Sequence, residues 1–290
     1  MKAKTPPPYP ELAHWMAKRI DIHEIPPSIL EKIRNQEKYQ KFNYIVSSLM
    51  RITRFTTPGF RWVGFKLFTK IVYAYFKLFN RIRVFGRENI PDKAIFYANH
   101  PGSLDPLILQ GVVQKPVSCF VSWDNYWFLD LLVKLYGFVL RVGARDELIE
   151  RMIRSVLQRN AYFAIWPEGS LCKNGLVGEG FSGIIRAYCA LNSQKNVIPF
   201  VPVLFRGSDC YHHRRNPKFL PKMTPIEVHF LKPFYLPRSW LKHPDEGGKT
   251  PREMIDHIMT ILARANGQNA PAINHRLEYV RNRKKEEQSG

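Results

Sequence analysis

Apolar residues along this chain fall into two textures. Between residues 60 and 84 they recur at helical spacing. Phe60, Val63, Leu67, Ile71, Ala74 and Leu78 step by three or four and make one stripe. Lys66, Lys70, Lys77 and Arg81 make a row on another face, and Phe65, Phe68, Phe76 and Phe79 widen the apolar side well beyond a narrow core stripe. Upstream, residues 28–55 also read as a helix, and "TTPG" at 56–59 separates the two. A broad apolar face with a basic rim fits two settings. One is a helix packed on a domain. The other is a helix lying in a membrane interface, aromatics among the acyl chains and lysines at lipid phosphates.

From about Val84 short apolar runs alternate with helical patterns. "AIFYA" (94–98), "VSCFVS" (117–122), "YFAIW" (162–166), "VIPFVPVLF" (197–205) and "IEVHFL" (226–231) read as strands. Residues 104–112, 126–135, 145–158 and 182–191 read as helices between them. The alternation predicts an α/β domain with a mostly parallel central sheet flanked by helices, preceded by an N-terminal amphipathic helical pair. A last helix opens at "TPREMIDHIM", where Thr250 caps, Pro251 takes the first turn and Glu253 completes a capping box; Gly267 is its stop. The resulting organisation is a Pro-rich segment over 1–27, membrane-associated helices over 28–83, the α/β domain over 84–270 and a charged tail over 271–290.

Charge sharpens this picture. Forty-four Lys and Arg against 24 Asp and Glu give a net +20 over 290 residues, which suits nucleic acid or an anionic membrane face. The 19 Phe, 13 Tyr and 6 Trp suit either as well, stacking on bases or sitting at a membrane interface. No nucleic-acid recognition signature such as a zinc finger is present. The cysteines, Cys119, Cys172, Cys189 and Cys210, form no C-x-x-C pair and read as reduced thiols. No secretory signal is visible, and no run reaches the ~18 uncharged apolar residues of a spanning helix. A cytoplasmic protein attached peripherally or monotopically to the cytoplasmic face of a membrane fits best, while charge alone leaves nucleic acid open.

Two of the apolar runs end in reactive side chains. "AIFYA" runs into Asn99 and His100, and "YFAIW" into Pro167, Glu168, Gly169 and Ser170. Loops leaving the carboxyl ends of strands are where open α/β sheets build their sites. Asp105 follows His100 across a turn at Pro101 and Gly102. A histidine with such a carboxylate is a general base held in one tautomer, or else Asp105 serves only the start of a helix. No nucleophile accompanies the pair: "GFSG" at 180–183 runs into Ile184 and is not G-x-S-x-G. A base without its own nucleophile implies that the substrate brings one, such as an alcohol. His212 and His213 lack an evident carboxylate partner and read as part of a basic surface loop.

Taken in order, "NHPGSLDP", "GFVLRVGAR", "WPEGS" and "VIPFVPVLFRG" resemble the four motifs of the glycerolipid acyltransferase family, which includes the lysophosphatidic acid acyltransferases. The similarity runs from about residue 84 to 210. Asn99, His100 and Asp105 match N-H-x4-D. Residues 166–170 match part of F-P-E-G-T-R, and Arg145 or Arg141, the former preferred, matches the arginine of the second motif. The resemblance implies a glycerolipid acyltransferase-like fold and acyl transfer to a lipid hydroxyl. The acyl group would come from acyl-CoA or acyl carrier protein, a thioester substrate, with no cofactor or metal and no nucleic-acid partner. It implies His100 as base, Asp105 as its orienter, and Asn99, Glu168, Gly169 and Ser170 at the substrate, with the arginine on the acceptor's phosphate. A lysophosphatidic acid-type acceptor in phospholipid biosynthesis leads; another lysolipid or a glycolipid is the alternative.

The chain departs from the family pattern at Leu171, where the arginine of F-P-E-G-T-R is expected, and at Ser182, where a lysine is usual. Lys173 can substitute for the missing arginine as a point charge. A basic nucleic-acid-binding protein accounts for the charge and aromatics but leaves N-H-x4-D and P-E-G unexplained. A membrane scaffold with a dead acyltransferase fold conflicts with the intact His100 and Asp105.

Overall fold

A strand apolar at every position needs cover on both faces, and "AIFYA" is such a strand. The computed structural model describes residues 58–121, 140–142, 162–172, 175–191, 198–211, 223–242, 244–274 and 277–278. In it β2 (Ala94–Ala98) is fully buried near the middle of a seven-stranded sheet. The other strands are β1 (Arg83–Phe85), β3 (Val117–Val121), β4 (Leu140–Val142), β5 (Tyr162–Ile165), β6 (Phe200–Arg206) and β7 (Glu227–Phe230). Their spatial order is β1-β7-β6-β2-β5-β3-β4. Every neighbouring pair is parallel except β6 with β7, so the sheet is mixed and mostly parallel.

Alternate residues of β2 face opposite layers. Ala94, Phe96 and Ala98 join one buried cluster with α1 (Pro58–Asn80) and α2 (Asp105–Val113). Ile95 and Tyr97 join another with α3 (Gly183–Leu191) and α4 (Pro251–Ala265). The molecule is thus helices, sheet, helices. Helices α1 and α2 approach closely at Gly111, where a Cβ would lie 2.9 Å from Val72 Cγ1.

Most anticipated elements are present with bounds shifted by a few residues. α4 opens as its sequence predicts: Thr250 accepts from the Glu253 N–H, and the Glu253 carboxylate accepts from the Thr250 N–H in return. Gly267 follows its end with a φ of 80°. The upstream helix at 28–55 and the patterns at 126–135 and 145–158 lie outside the described residues.

Four differences stand out. The first concerns two short strands: β1 was anticipated as the end of a helix, and β4 only as part of a motif. α1 begins at Pro58, inside the supposed break, because proline is well tolerated in a helix's first turn. The packed domain runs past residue 270: Ala272 pairs with Gly178, and Leu277 is buried.

The fourth difference concerns α1. The apolar stripe faces outward: Val63, Leu67, Ile71 and Leu78 are 63%, 59%, 58% and 70% exposed. The buried face holds Phe65, Thr69, Phe76 and Asn80. Its polar members are satisfied. Thr69 Oγ1 donates to the Lys66 carbonyl at 3.0 Å, and Asn80 donates to the Thr224 carbonyl at 3.1 Å while accepting from the Tyr211 hydroxyl at 2.7 Å. At 3.6 residues per turn Lys66, Lys70 and Lys77 lie beside the exposed apolar stripe, Lys66 donating to the Gln114 carbonyl at 3.1 Å, while Arg81 of the expected row falls beyond the helix end with a φ of 45°. No helix among the described residues is long and apolar enough to cross a membrane.

Candidate active site

β2 and β5 are parallel neighbours, with Tyr97 opposite Ile165. The loops leaving their carboxyl ends therefore meet. This brings the His100 turn beside the Glu168 turn, although the two are far apart in the chain.

The His100 turn is built around Gly102. A Cβ there would stand 2.1 Å from the Ser208 carbonyl oxygen, so only glycine allows the turn to close against the segment after β6. The turn delivers Asp105 to the first position of α2, where a carboxylate is favoured by the helix dipole. Buried Asp105 accepts at Oδ2 from the Gly102 N–H at 3.0 Å and lies 2.8 Å from His100 Nδ1. This carboxylate makes Nδ1 the protonated nitrogen of a neutral ring and leaves Nε2 to accept a proton. The His100 side chain is 20% exposed, whereas Asp105 is fully enclosed. The Trp166 ring lies 5.2 Å from the imidazole at a tilt of 37° and walls it further. Trp166 was legible only as part of the motif match, and its contact with His100 had no sequence signal.

The Glu168 turn is less open than expected of a substrate-contacting element. Glu168 is buried, with the N–H groups of His100 and Gly178 near enough to its carboxylate to favour the charged form. Its Oε1 has no hydrogen-bond partner among the described residues. Burial pushes this carboxyl from the ordinary glutamate range up to about 8, and the Asp105 charge adds to the rise; the two N–H groups pull the other way. The folded state therefore holds this proton more tightly than the unfolded chain. That stabilisation is complete below about pH 4.5 and is lost as pH rises through about 8. Glu168→Gln keeps an acceptor for both N–H groups and removes the titration. Its melting temperature minus that of the parent should rise steadily between pH 5 and pH 8.5; a flat difference would show that Glu168 does not titrate in this window.

Cys172 closes the turn from the other side, its N–H donating to the His100 carbonyl at 2.8 Å. Burial, reinforced by Glu168 and Asp105, holds its thiol well above the usual cysteine range, so it is no thiolate nucleophile. Gly169 is exposed and Ser170 and Leu171 are half-buried, so these residues offer the accessible surface of the turn.

The remaining expected site residues lie elsewhere. Asn99 is wholly buried; its amide donates to the Phe205 carbonyl at 2.9 Å and accepts from the Phe205 N–H at 2.7 Å. It locks the end of β2 to β6, with no exposed atom for a ligand. Arg141 is on β4, three strands from β2 and so roughly 14 Å away at about 4.8 Å per strand. Arg145, Lys173, His212 and His213 lie outside the described residues. Among the described residues no cluster of three or more His, Cys, Asp or Glu could hold a metal ion.

Comparison with known proteins fits this geometry. Residues 81–206 match the family model Acyltransferase. A 1-acyl-sn-glycerol-3-phosphate acyltransferase of Cocos nucifera is 24% identical over 161 residues, 53% of this chain and 50% of that protein. The chain thus spans about half the length of this curated relative. Among solved structures, the 1-acyl-sn-glycerophosphate (LPA) acyltransferase PlsC from Thermotoga maritima shares the fold. Its TM-score is 0.50 at 16% identity, over 80% of this chain and 98% of that one.

Proposed function

We propose, from the premise that residues 81–206 form an Acyltransferase-family domain, that this chain transfers a fatty acyl group from a thioester to the hydroxyl of a lysolipid. The observation that carries the reading is the His100 Nδ1–Asp105 Oδ2 contact of 2.8 Å at the carboxyl end of β2, beside the Glu168 turn. His100 Nε2 takes the proton of the acceptor hydroxyl as its oxygen attacks the thioester carbonyl carbon. The tetrahedral oxyanion collapses, the C–S bond breaks, and the imidazolium returns the proton to the departing thiolate. Asp105 holds the ring and stabilises the imidazolium. No enzyme nucleophile is needed, in keeping with the protonated state of Cys172. The donor is acyl-CoA or acyl carrier protein.

For the acceptor, lysophosphatidic acid leads, since the curated relative carries that acceptor class in its name. Leu171 stands where an arginine would grip the phosphate, so the phosphate must be met by Arg145, Arg141 or Lys173. Labelled long-chain acyl-CoA offered with a panel of lysolipids, the products read by mass spectrometry, tests this directly. The expected result is fastest acylation of lysophosphatidic acid. Acylation of none of them, with the thioester intact, would overturn the reading.

The exposed stripe of α1 supports a seat on the membrane surface, which we place on its cytoplasmic face, with Lys70 and Lys77 toward anionic headgroups. Replacing Leu67 and Ile71 together by Ser should lower partitioning onto anionic vesicles by at least about tenfold, because each buried side chain of this size contributes on the order of 1.5–3 kcal/mol. Tight duplex-DNA binding by the parent, with none to vesicles, would favour the nucleic-acid class.

A further inference from the structure

The loop that carries Glu168 is held along its length by a segment beyond the family-matched residues. This segment starts where α4 ends. Asn266 Nδ2 donates to the Gly175 carbonyl at 2.9 Å. Gln268 accepts from the Val177 N–H at 2.8 Å and donates to the Val177 carbonyl at 3.1 Å. The Ala272 N–H donates to the Val177 carbonyl at 2.8 Å, and the Ala272 carbonyl accepts from the Glu179 N–H at 2.9 Å. Asn274 is buried at the far end. Its Nδ2 donates to the carbonyls of Glu168 and Glu179, both at 2.9 Å. Two carbonyl partners fix which end of the amide faces the loop, because only the NH2 group can serve both.

This strap reaches the proposed base through the Glu168 turn. It fixes 177–179, and Gly178 packs on the Glu168 carboxylate, 3.2 Å from where a Cβ would stand. Asn274 holds the Glu168 main chain directly. The same turn meets His100 at both ends: the Cys172 N–H donates to the His100 carbonyl at 2.8 Å, and the Trp166 ring lies 5.2 Å from the imidazole. Asn274 therefore clamps the middle of a turn whose two ends rest on His100.

We infer that Asn274 is a positioning residue for acyl transfer: it sets the Glu168 turn against His100 from outside the family domain and touches no substrate. The inference rests on the proposed acyl transfer for its kinetic consequence and on the hydrogen bonds alone for its structural one.

The full chain carrying Asn274→Leu tests both. Leucine fills the space and leaves two buried carbonyls without their donor. With lysophosphatidic acid and a long-chain acyl-CoA, kcat should fall about tenfold while the KM for acyl-CoA stays within about twofold. Hydrogen exchange at the Cys172 amide, which donates to the His100 carbonyl, should accelerate by a similar factor, with the interior amides of α4 unchanged. Asn274→Ser, which keeps one donor, should fall between Leu and the parent, and it replaces the Leu variant if that one does not fold.

Unchanged exchange at the Cys172 amide overturns the inference, as does a variant kcat equal to that of an active parent. A loss of kcat matched by an equal loss of folded protein also overturns it, since that is mere destabilisation. A parent that acylates no lysolipid refutes the proposed function and leaves the exchange experiment to decide the strap.

Discussion

Replacing His100 by Asn is expected to lower kcat for acyl transfer by about 10²–10⁴-fold, the range a positioned general base supplies. Asparagine is the informative substitute. Its Nδ2 takes the place of the imidazole Nδ1 and can still donate to Asp105, so the carboxylate buried at the start of α2 keeps a partner and the turn keeps its shape. What is lost is the second nitrogen, the one that takes the proton. Melting temperature should therefore move little and the KM values should stay near those of the parent. The measurement is thiol release from acyl-CoA in the presence of lysophosphatidic acid. Release at the parent rate would sink the proposed mechanism, because no other described group stands ready to take the proton.

Asp105→Asn is expected to cost about 10²–10³-fold in kcat for a different reason. The carboxylate can only accept, and so it selects the Nδ1–H tautomer of His100. An asparagine can turn its NH2 toward Nδ1 and stabilise the opposite tautomer, with the proton on Nε2. The ring would remain in place and be unable to act as a base. His100 Nδ1 and the Gly102 N–H both meet Oδ2, so an NH2 in that place also takes the acceptor from Gly102, and a loss of melting temperature should accompany the loss of activity. The diagnostic is the downfield Nδ1 proton resonance of His100, present in the parent and absent in the variant. Loss of activity with that resonance intact would mean that Asp105 serves the helix start and little else.

How much of this was legible in the sequence depends on how local each feature is. β2 was readable because it is apolar at every position and carries its own boundaries. The capping box of α4 needs only Thr250 and Glu253. The His100–Asp105 pair spans one turn, so spacing alone brought the two together. β1 and β4 have three residues each and little strand character; pairing makes them strands. Arg83 of β1 is held by its register partner Glu227, to which it is also ion-paired. On α1 the hydropathy period was sound but pointed away from the core. The packed face contains Thr69 and Asn80, whose burial depends on partners that periodicity cannot see. Glu168 reaches His100 only because β5 lies beside β2, and Asn274 reaches Glu168 from 106 positions away, beyond any spacing rule.

The strand order has a consequence for synthesis. β5 enters between β2 and β3, and β6 covers the other edge of β2, yet both follow β3 and β4 in the chain. A ribosome that has released only the first 142 residues has therefore made an apolar β2 with neither neighbour to pair with. Its N–H and carbonyl groups form two open edges until residues 162–165, and then 200–206, emerge. His100 and Asp105 come out early and together, but the strands that flank β2 follow them. Pausing between these segments would lengthen the exposure of an aggregation-prone strand, and a chaperone that shields extended apolar chain would act in that interval.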